Sequence, residues 1–280
     1  EIDILSKRVI SWISNSQLTY EDSSDIYKDK FNFLIKKQTN HLINEINRSD
    51  FYDDKMIGCT AIILTGLSYK DINFIEYGFE LLNKIINYSL DDDFFPKSRS
   101  FRQLVFYLKY LVLIRELCKD SHNEIPEYLN EAIFYLGQSY KFYWQDTKQT
   151  YLFNGSHEIT NIAFDEYLKN HGYKFSLEGK EFGGYVLFKD KKSSLIMDVG
   201  KPPEKKFSDT YQSGPLSFEL IYNNKKVICN SGYFQNPKHQ LNDISRSTAS
   251  QSTLIIDNTS VTRLTRNNSG KKIIKNIFKI

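Results

Sequence analysis

Three polar clusters in the second half of the chain carry the side chains best suited to chemistry. They are Tyr211–Glu219 (YQSGPLSFE), the turn Cys229–Gly232 (CNSG) and Arg246–Asp257 (RSTASQSTLIID). The first and third abut runs in which apolar and polar residues alternate, which is typical of a half-buried β-strand. Hydroxyl, amide and guanidinium groups are therefore predicted at the ends of strands, an arrangement typical of a ligand-binding or catalytic site.

The residue types limit what each of these side chains could do. Tyr211 is the nearest proton carrier, but an adjacent cation would have to lower its pKa from about 10. Gln212 and Gln251 can donate hydrogen bonds to a carboxylate or a sugar hydroxyl, but an amide cannot act as a general base. Arg246 could bind a carboxylate through two parallel hydrogen bonds. A structural or surface role for each remains the alternative.

Four further residues are candidates for substrate binding. Ser98 and Arg99 begin a long predicted helix, and a helix N-terminus that carries cationic side chains favours an anion. Asn154 lies in a Phe-Asn-Gly turn and could line a cleft, although an Asn-Gly pair is often only a turn. His239 is the one histidine of five that lies between the first and third clusters, where it could supply an imidazole.

The elements that must position these residues change in type along the chain. Apolar residues recur at helical spacing through the first half and predict helices at 24–48, 53–67, 71–90, 100–119, 126–145 and 158–170. Beyond Gly183 the period is two, and it predicts strands at 184–189, 193–199, 216–222, 225–230, 252–257 and 273–278. Helices followed by antiparallel strands predict an α+β fold, with an α/α hairpin array or a four-helix bundle first.

Bulk composition narrows the class of protein. The net charge of +3 is spread along 280 residues, which is poor support for nucleic-acid binding and is compatible with an acidic polysaccharide. The three cysteines are far apart and predict neither disulfides nor a zinc site. No apolar run approaches the roughly 20 residues of a transmembrane helix. The oligomeric state stays open.

Six segments, in this order, resemble the heparinase II/III-like polysaccharide lyases. They are Phe95–Arg99 (FPKSR), Tyr151–Gly155 (YLFNG), Gly183–Tyr185 (GGY), Asp198–Pro203 (DVGKPP), and the first and third clusters described above. The resemblance implies an N-terminal α/α toroid-type helical domain at 1–170, incomplete at its N-terminus. It also implies an antiparallel β-sandwich domain at 171–280, incomplete at its C-terminus, so that the chain is expected to be a fragment.

The resemblance also implies a function. Members of this family eliminate the glycosidic bond beside a uronic acid, which requires neutralisation of the carboxylate, a base for the C5 proton and an acid for the leaving oxygen. Relatives usually carry histidines where Gln212 and Gln251 stand, so no catalytic metal is expected, and no redox cofactor is needed. Tyr211, Gln212, Arg246 and Gln251 become the catalytic candidates, and Arg99, Ser98, Asn154 and His239 the substrate-binding ones.

Other readings of the same residues stay open. The two glutamines favour a non-catalytic carbohydrate-binding relative as the alternative to a lyase, and a structural helical scaffold is a third possibility. The acidic run Asp91–Asp93 could belong to a hydrolase, although a solvated loop is a simpler interpretation. By analogy with the family, a bacterial protein of the periplasm or cell envelope is expected.

Overall fold

The computed structural model describes residues 2–145 and 147–278. The α-helices of this part of the chain are α1 (Ile2–Ser14), α2 (Asp25–Ile46), α3 (Tyr52–Tyr69), α4 (Ile72–Ser89), α5 (Phe101–Asp120), α6 (Glu127–Tyr140), α7 (Ile162–Asn170) and α8 (Gln240–Arg246). Its strands are β1 (Glu181–Phe182), β2 (Tyr185–Lys189), β3 (Ser193–Asp198), β4 (Phe218–Tyr222), β5 (Lys225–Ile228), β6 (Thr262–Arg266) and β7 (Lys272–Ile277). The predicted α+β order of helices and then antiparallel strands is confirmed.

Local sequence signals explain where the helices start and stop. The Ser24 hydroxyl accepts a hydrogen bond from the backbone N–H of Tyr27 and caps α2. Asp71 caps α4, because its carboxylate accepts from the N–H of Asn73. Lys70 ends α3 with a left-handed backbone (φ 54°). Residues 56–67 of α3 are buried all round, so this helix lies in the core rather than on the surface.

The β1 to β5 strands form one antiparallel sheet in sequence order. Successive strands therefore pair as neighbours through short connections, for example Leu187 with Ile196 and Ile196 with Glu219. Between β4 and β5, Asn223 and Asn224 both have positive φ (47° and 59°), which a tight two-residue hairpin requires. Strands β6 and β7 form a separate antiparallel pair.

The chain divides into two compact units, Glu1–Ser89 with Lys109–Ile133 and Leu90–Leu108 with Phe134–Ile280. The core of the second unit is aromatic: Phe101 stacks on Tyr143, with ring centroids 4.2 Å apart, and lies 4.6 Å from the ring of Tyr185. Every candidate site residue belongs to this second unit. The predicted boundary between a domain 1–170 and a domain 171–280 stays a prediction.

One strand prediction was wrong, and one predicted helix changes its form near its end. Residues 252–257 were predicted as a strand but form none; the side chains of Ser252 and Thr253 instead bond the backbone of Phe218 and Pro215. The predicted helix 126–145 ends as α6 at Tyr140 and continues as a π-helical turn, Lys141–Gln145. Helix α8 and strand β6 were not predicted, because each is short and lacks a clear period.

Candidate functional site

Gln212 joins three segments that are far apart in sequence. Its amide nitrogen donates to the carbonyl oxygens of Gly232 (3.1 Å) and Ser245 (2.9 Å), and its amide oxygen accepts from the N–H of Gly155 (3.2 Å). The residue is 2% exposed. Three hydrogen bonds use most of what a primary amide can make, so the Gln212 side chain is committed to protein contacts.

Gln251 meets Gln212 at a shared acceptor. Its amide nitrogen donates to the carbonyl of Ser245 at 2.8 Å and to that of Ser247 at 3.3 Å. The structure therefore brings together the two glutamines that the sequence analysis selected, and it joins them through one backbone oxygen at the end of α8. Both amides direct N–H groups, not lone pairs, at this point.

That arrangement does not suit a metal ion, which needs converging lone pairs. Within the described residues, no group of three or more His, Cys, Asp or Glu side chains is placed to hold one. The expectation that no catalytic metal is bound remains an expectation about the whole protein.

Arg246, the last residue of α8, is buried, with 2% of its surface exposed. Its guanidinium donates to the backbone carbonyls of Tyr211 (2.8 Å), Ser208 (2.9 Å) and Lys272 (3.0 Å). Burial lowers the pKa of Arg246, since no carboxylate contacts it in the part of the chain described. The fork that was predicted to bind a substrate carboxylate instead ties the loop before β4 to β7.

Tyr211 is 1% exposed. Burial raises the pKa of Tyr211, and this effect outweighs the opposing influence of Arg99. The lowered pKa that proton transfer by this hydroxyl would require is therefore not found. The catalytic roles of Tyr211, Gln212, Arg246 and Gln251 stay predictions.

Arg99 is the centre of a second buried network. Its guanidinium pairs with the Asp198 carboxylate (Nη2 to Oδ1 2.6 Å), donates to the carbonyls of Gly183 (2.9 Å), Gly184 (3.1 Å) and Lys201 (3.1 Å), and lies 4.6 Å from the Tyr185 ring centroid. Arg99 itself has a left-handed backbone (φ 58°). Its donors are thus engaged within the protein.

The other three predicted binding residues lie in different surroundings. Asn154 is 2% exposed, donates to the Tyr185 hydroxyl and accepts from the backbone N–H of Gln212, which links the two networks. Ser98 is buried and its hydroxyl donates to Gln103. His239 is exposed, and its Nδ1 accepts from the N–H of Leu241 at the start of α8. Their binding roles also stay predictions.

A cavity of about 280 Å³ lies beside the glutamine pair, with volume close to the smaller ligand pockets of proteins. Its walls are Leu152, His157, Glu158, Ser231, Gly232, Tyr233, Phe234, Leu241, Ile244, Ser245 and Ser250. Gln212 bonds the walls at Gly232 and Ser245, and Gln251 bonds Ser245, so the two amides brace the cavity from behind. Aromatic and aliphatic side chains supply most of its surface.

His157 is the titratable group that sequence reasoning missed. Its imidazole lines the cavity, and the Gln235 amide nitrogen lies 2.7 Å from its Nε2. Partial burial, and secondarily the positive charge of Arg102, lower the pKa of His157. Tyr233 lines the same cavity, and its N–H donates to the carbonyl of Ser156. The sequence carries no signal for this grouping, because it joins loops that are far apart in the chain, with His157 and Gln235 separated by 78 residues.

The fold is that of the heparinase III structures. The chain is similar to the heparinase III BT4657 gene product (TM-score 0.76, 15% identity, covering 93% of this chain and 46% of that one). It is also similar to the heparan sulfate lyase HepC from Pedobacter heparinus (TM-score 0.71, 15% identity, 96% and 48%) and to another heparinase III structure (TM-score 0.74, 12% identity, 95% and 49%). The chain thus spans just under half the length of these proteins.

Residues 178–277 match the family model described as "Heparinase II/III-like, C-terminal". This match confirms the resemblance to heparinase II/III-like proteins that was drawn from the sequence. No curated protein matches the chain. Among the described residues no helix is both long enough and apolar enough to span a membrane.

Proposed function

We propose that the chain belongs to a polysaccharide lyase-like protein that acts by β-elimination on a uronate-containing, glycosaminoglycan-like polysaccharide, and that the cavity beside Gln212 and Gln251 receives the reacting sugar. The observation that carries this proposal is the half-buried His157 imidazole with a lowered pKa, facing a cavity in a heparinase II/III-like domain. A neutral imidazole can accept a proton near neutral pH, which the elimination requires of its base.

Two neighbours supply the other requirements of the reaction. Arg102 is exposed and its charge acts on His157, so its guanidinium is available to neutralise a uronate carboxylate at the cavity. Tyr233 lines the same cavity, and in this proposal its hydroxyl protonates the leaving glycosidic oxygen. In this scheme Gln212 and Gln251 support the wall and do not react. No redox cofactor takes part.

The solved relatives supply the substrate class by analogy. Their names specify heparinase III and heparan sulfate lyase, which supports a sulfated glycosaminoglycan or a similar acidic polysaccharide as the partner. An exported location, in the periplasm or cell envelope of a bacterium, is proposed on the same analogy. The non-catalytic carbohydrate-binding alternative differs in one respect: the cavity would bind the sugar without turnover.

The test is an ultraviolet assay for the conjugated 4,5-unsaturated uronate, run on the full-length protein with heparan sulfate, chondroitin, hyaluronan and alginate. His157→Gln and Tyr233→Phe should abolish the absorbance increase, whereas Tyr211→Phe, which alters a buried hydroxyl outside the cavity, should retain it. An increase that persists undiminished in His157→Gln would refute the assigned base. Saturable saccharide binding with no increase on any substrate would establish the non-catalytic alternative.

A further inference from the structure

Glu219 is a carboxyl group in the interior of the sheet, on β4, with 0% exposure. Its hydrogen bonds to the described residues all converge on one oxygen. Oε1 accepts from the backbone N–H of Leu152 (3.0 Å), and from both the backbone N–H (3.0 Å) and the side-chain amide (3.1 Å) of Asn230. Oε2 is buried and has no partner among the described residues.

Two other buried oxygens in this region also lack partners in the described structure, the Tyr143 hydroxyl and Ser156 Oγ. Tyr143 lies close enough to both Ser156 and Glu219 for each to affect the pKa of its hydroxyl, so the three groups share one locality. Hydroxyl oxygens can accept a hydrogen bond as well as donate one. Neither hydroxyl, however, forms a hydrogen bond with Glu219 Oε2 in the described structure, so this oxygen is enclosed and unpaired.

Charged groups around Glu219 give it little compensation. Lys226 on β5 is the cation that acts on it, but the Lys226 ammonium is paired with the Glu158 carboxylate, which also acts on Tyr143. No lysine, arginine or histidine forms an ion pair with Glu219 in the described part of the chain. Burial raises the pKa of Glu219 from 4.5 to about 7.

The pattern of donors agrees with a neutral acid. The carbonyl oxygen of a carboxylic acid accepts hydrogen bonds, while its hydroxyl oxygen carries the proton and donates. Three donors on Oε1 and none on Oε2 match that division. An ionised carboxylate would place part of its charge on Oε2, which is enclosed and has no donor among the described residues, at an energetic cost that the donors to Oε1 only partly offset.

We propose that Glu219 is a positioning residue of the cavity, which holds two cavity walls together as a neutral carboxylic acid with its proton on Oε2, and that loss of this proton loosens them. The wall at Leu152 and the turn Asn230–Gly232 both depend on Oε1. Ionisation favours an opening that admits water to Oε2, and such an opening separates these two segments. The inference about the cavity's purpose rests on the proposed function; the inference about the proton does not.

The sign of the pH dependence follows from proton linkage. Between pH 4.5 and about 7 the folded protein keeps a proton on Glu219 that the unfolded chain releases, so stability is full at the lower end and falls as pH rises. The largest loss that this one group can cause is about 300-fold in the folding equilibrium constant. Other titrating groups add their own slopes, so a matched variant must isolate the contribution of Glu219.

Glu219→Gln is that variant, because its amide oxygen can accept the same three hydrogen bonds and its NH₂ group takes the place of the acid proton. Glu181→Gln, which removes an exposed carboxylate from β1 of the same sheet, is the control. We expect urea denaturation to show a fall in stability with rising pH in the wild type and in Glu181→Gln, and a smaller fall in Glu219→Gln. Equal slopes in all three proteins would overturn the inference.

Hydrogen exchange measures the cavity walls directly. The backbone amides of Leu152 and Asn230, after correction for intrinsic exchange rates, should lose protection as the pH rises from about 4.5 to about 7 in the wild type and keep it in Glu219→Gln. If Glu219→Gln does not fold, infrared spectroscopy of the wild-type protein with labelled glutamate provides a second test. A buried protonated carboxyl group gives its own C=O band, and the absence of this band near pH 6 would overturn the inference.

Neither measurement uses a polysaccharide. A failure of the lyase proposal therefore appears as absent turnover with the pH profile intact, whereas a failure of this inference appears as unchanged amide protection with or without turnover.

Discussion

Replacing Gln212 with alanine should weaken the second unit by an amount that its contacts define. The change removes three hydrogen bonds, each worth about 0.5–1.5 kcal/mol net. The losses are unequal, because Gly232 O retains a bond from the Ser231 hydroxyl and Ser245 O retains one from Gln251. The N–H of Gly155 has no other partner among the described residues, and a buried orphaned donor costs about 1–3 kcal/mol. We expect a total of about 3–5 kcal/mol.

Because Gln212 and Gln251 share Ser245 O as an acceptor, a double variant tests their role more sharply than either single variant. Gln251→Ala alone leaves Ser245 O bonded to Gln212, so we expect a loss of only about 1–2 kcal/mol. The double variant removes both donors to this oxygen. It should therefore lose more than the sum of the singles, by about 1 kcal/mol or more.

Urea denaturation followed by circular dichroism would measure all three variants, with Gln235→Ala as an exposed glutamine control. A strictly additive double variant would refute the bracing role, as would Gln212→Ala with wild-type stability and lost activity. The second result would instead return Gln212 to the reacting groups.

Two further substitutions probe the Arg99 network. Arg99→Lys keeps the charge but loses the two-point contact with the Asp198 carboxylate. Because a buried carboxylate is then left poorly paired, denaturation should show a free energy of unfolding lower by about 3–5 kcal/mol. A decrease below about 1 kcal/mol would contradict this expectation. Gly200→Ala places a Cβ 2.5 Å from Arg99 Nη2. This crowding should lower the free energy of unfolding by about 1–3 kcal/mol, which is measured as a lower thermal midpoint. Gly179→Ala, where an added Cβ meets its nearest atom at an ordinary contact distance of 3.4 Å, is its control for steric effects, and equal midpoints in the two variants would refute the crowding argument.

The sequence by itself determined the fold class and the local elements. Helices and strands are indicated by the spacing of apolar residues over a few neighbouring positions, and the Asn223-Asn224 hairpin is equally local. The sequence pattern was therefore sufficient to predict these elements. The resemblance to the family was visible for the same reason, because it rests on short contiguous motifs such as Tyr151–Gly155. The strand predicted at 252–257 failed, because a strand needs a partner and polarity alone does not supply one.

Only the tertiary structure decided what the polar residues do. Arg246 and Arg99 have the chemistry to bind a substrate carboxylate, but the fold surrounds them with carbonyl oxygens and with Asp198. His157 looks like an ordinary loop histidine in the sequence, and it becomes a candidate base because the cavity beside it is assembled from several loops. Burial, hydrogen-bond partners and pKa are properties of a surrounding environment, and residues tens of positions away create that environment.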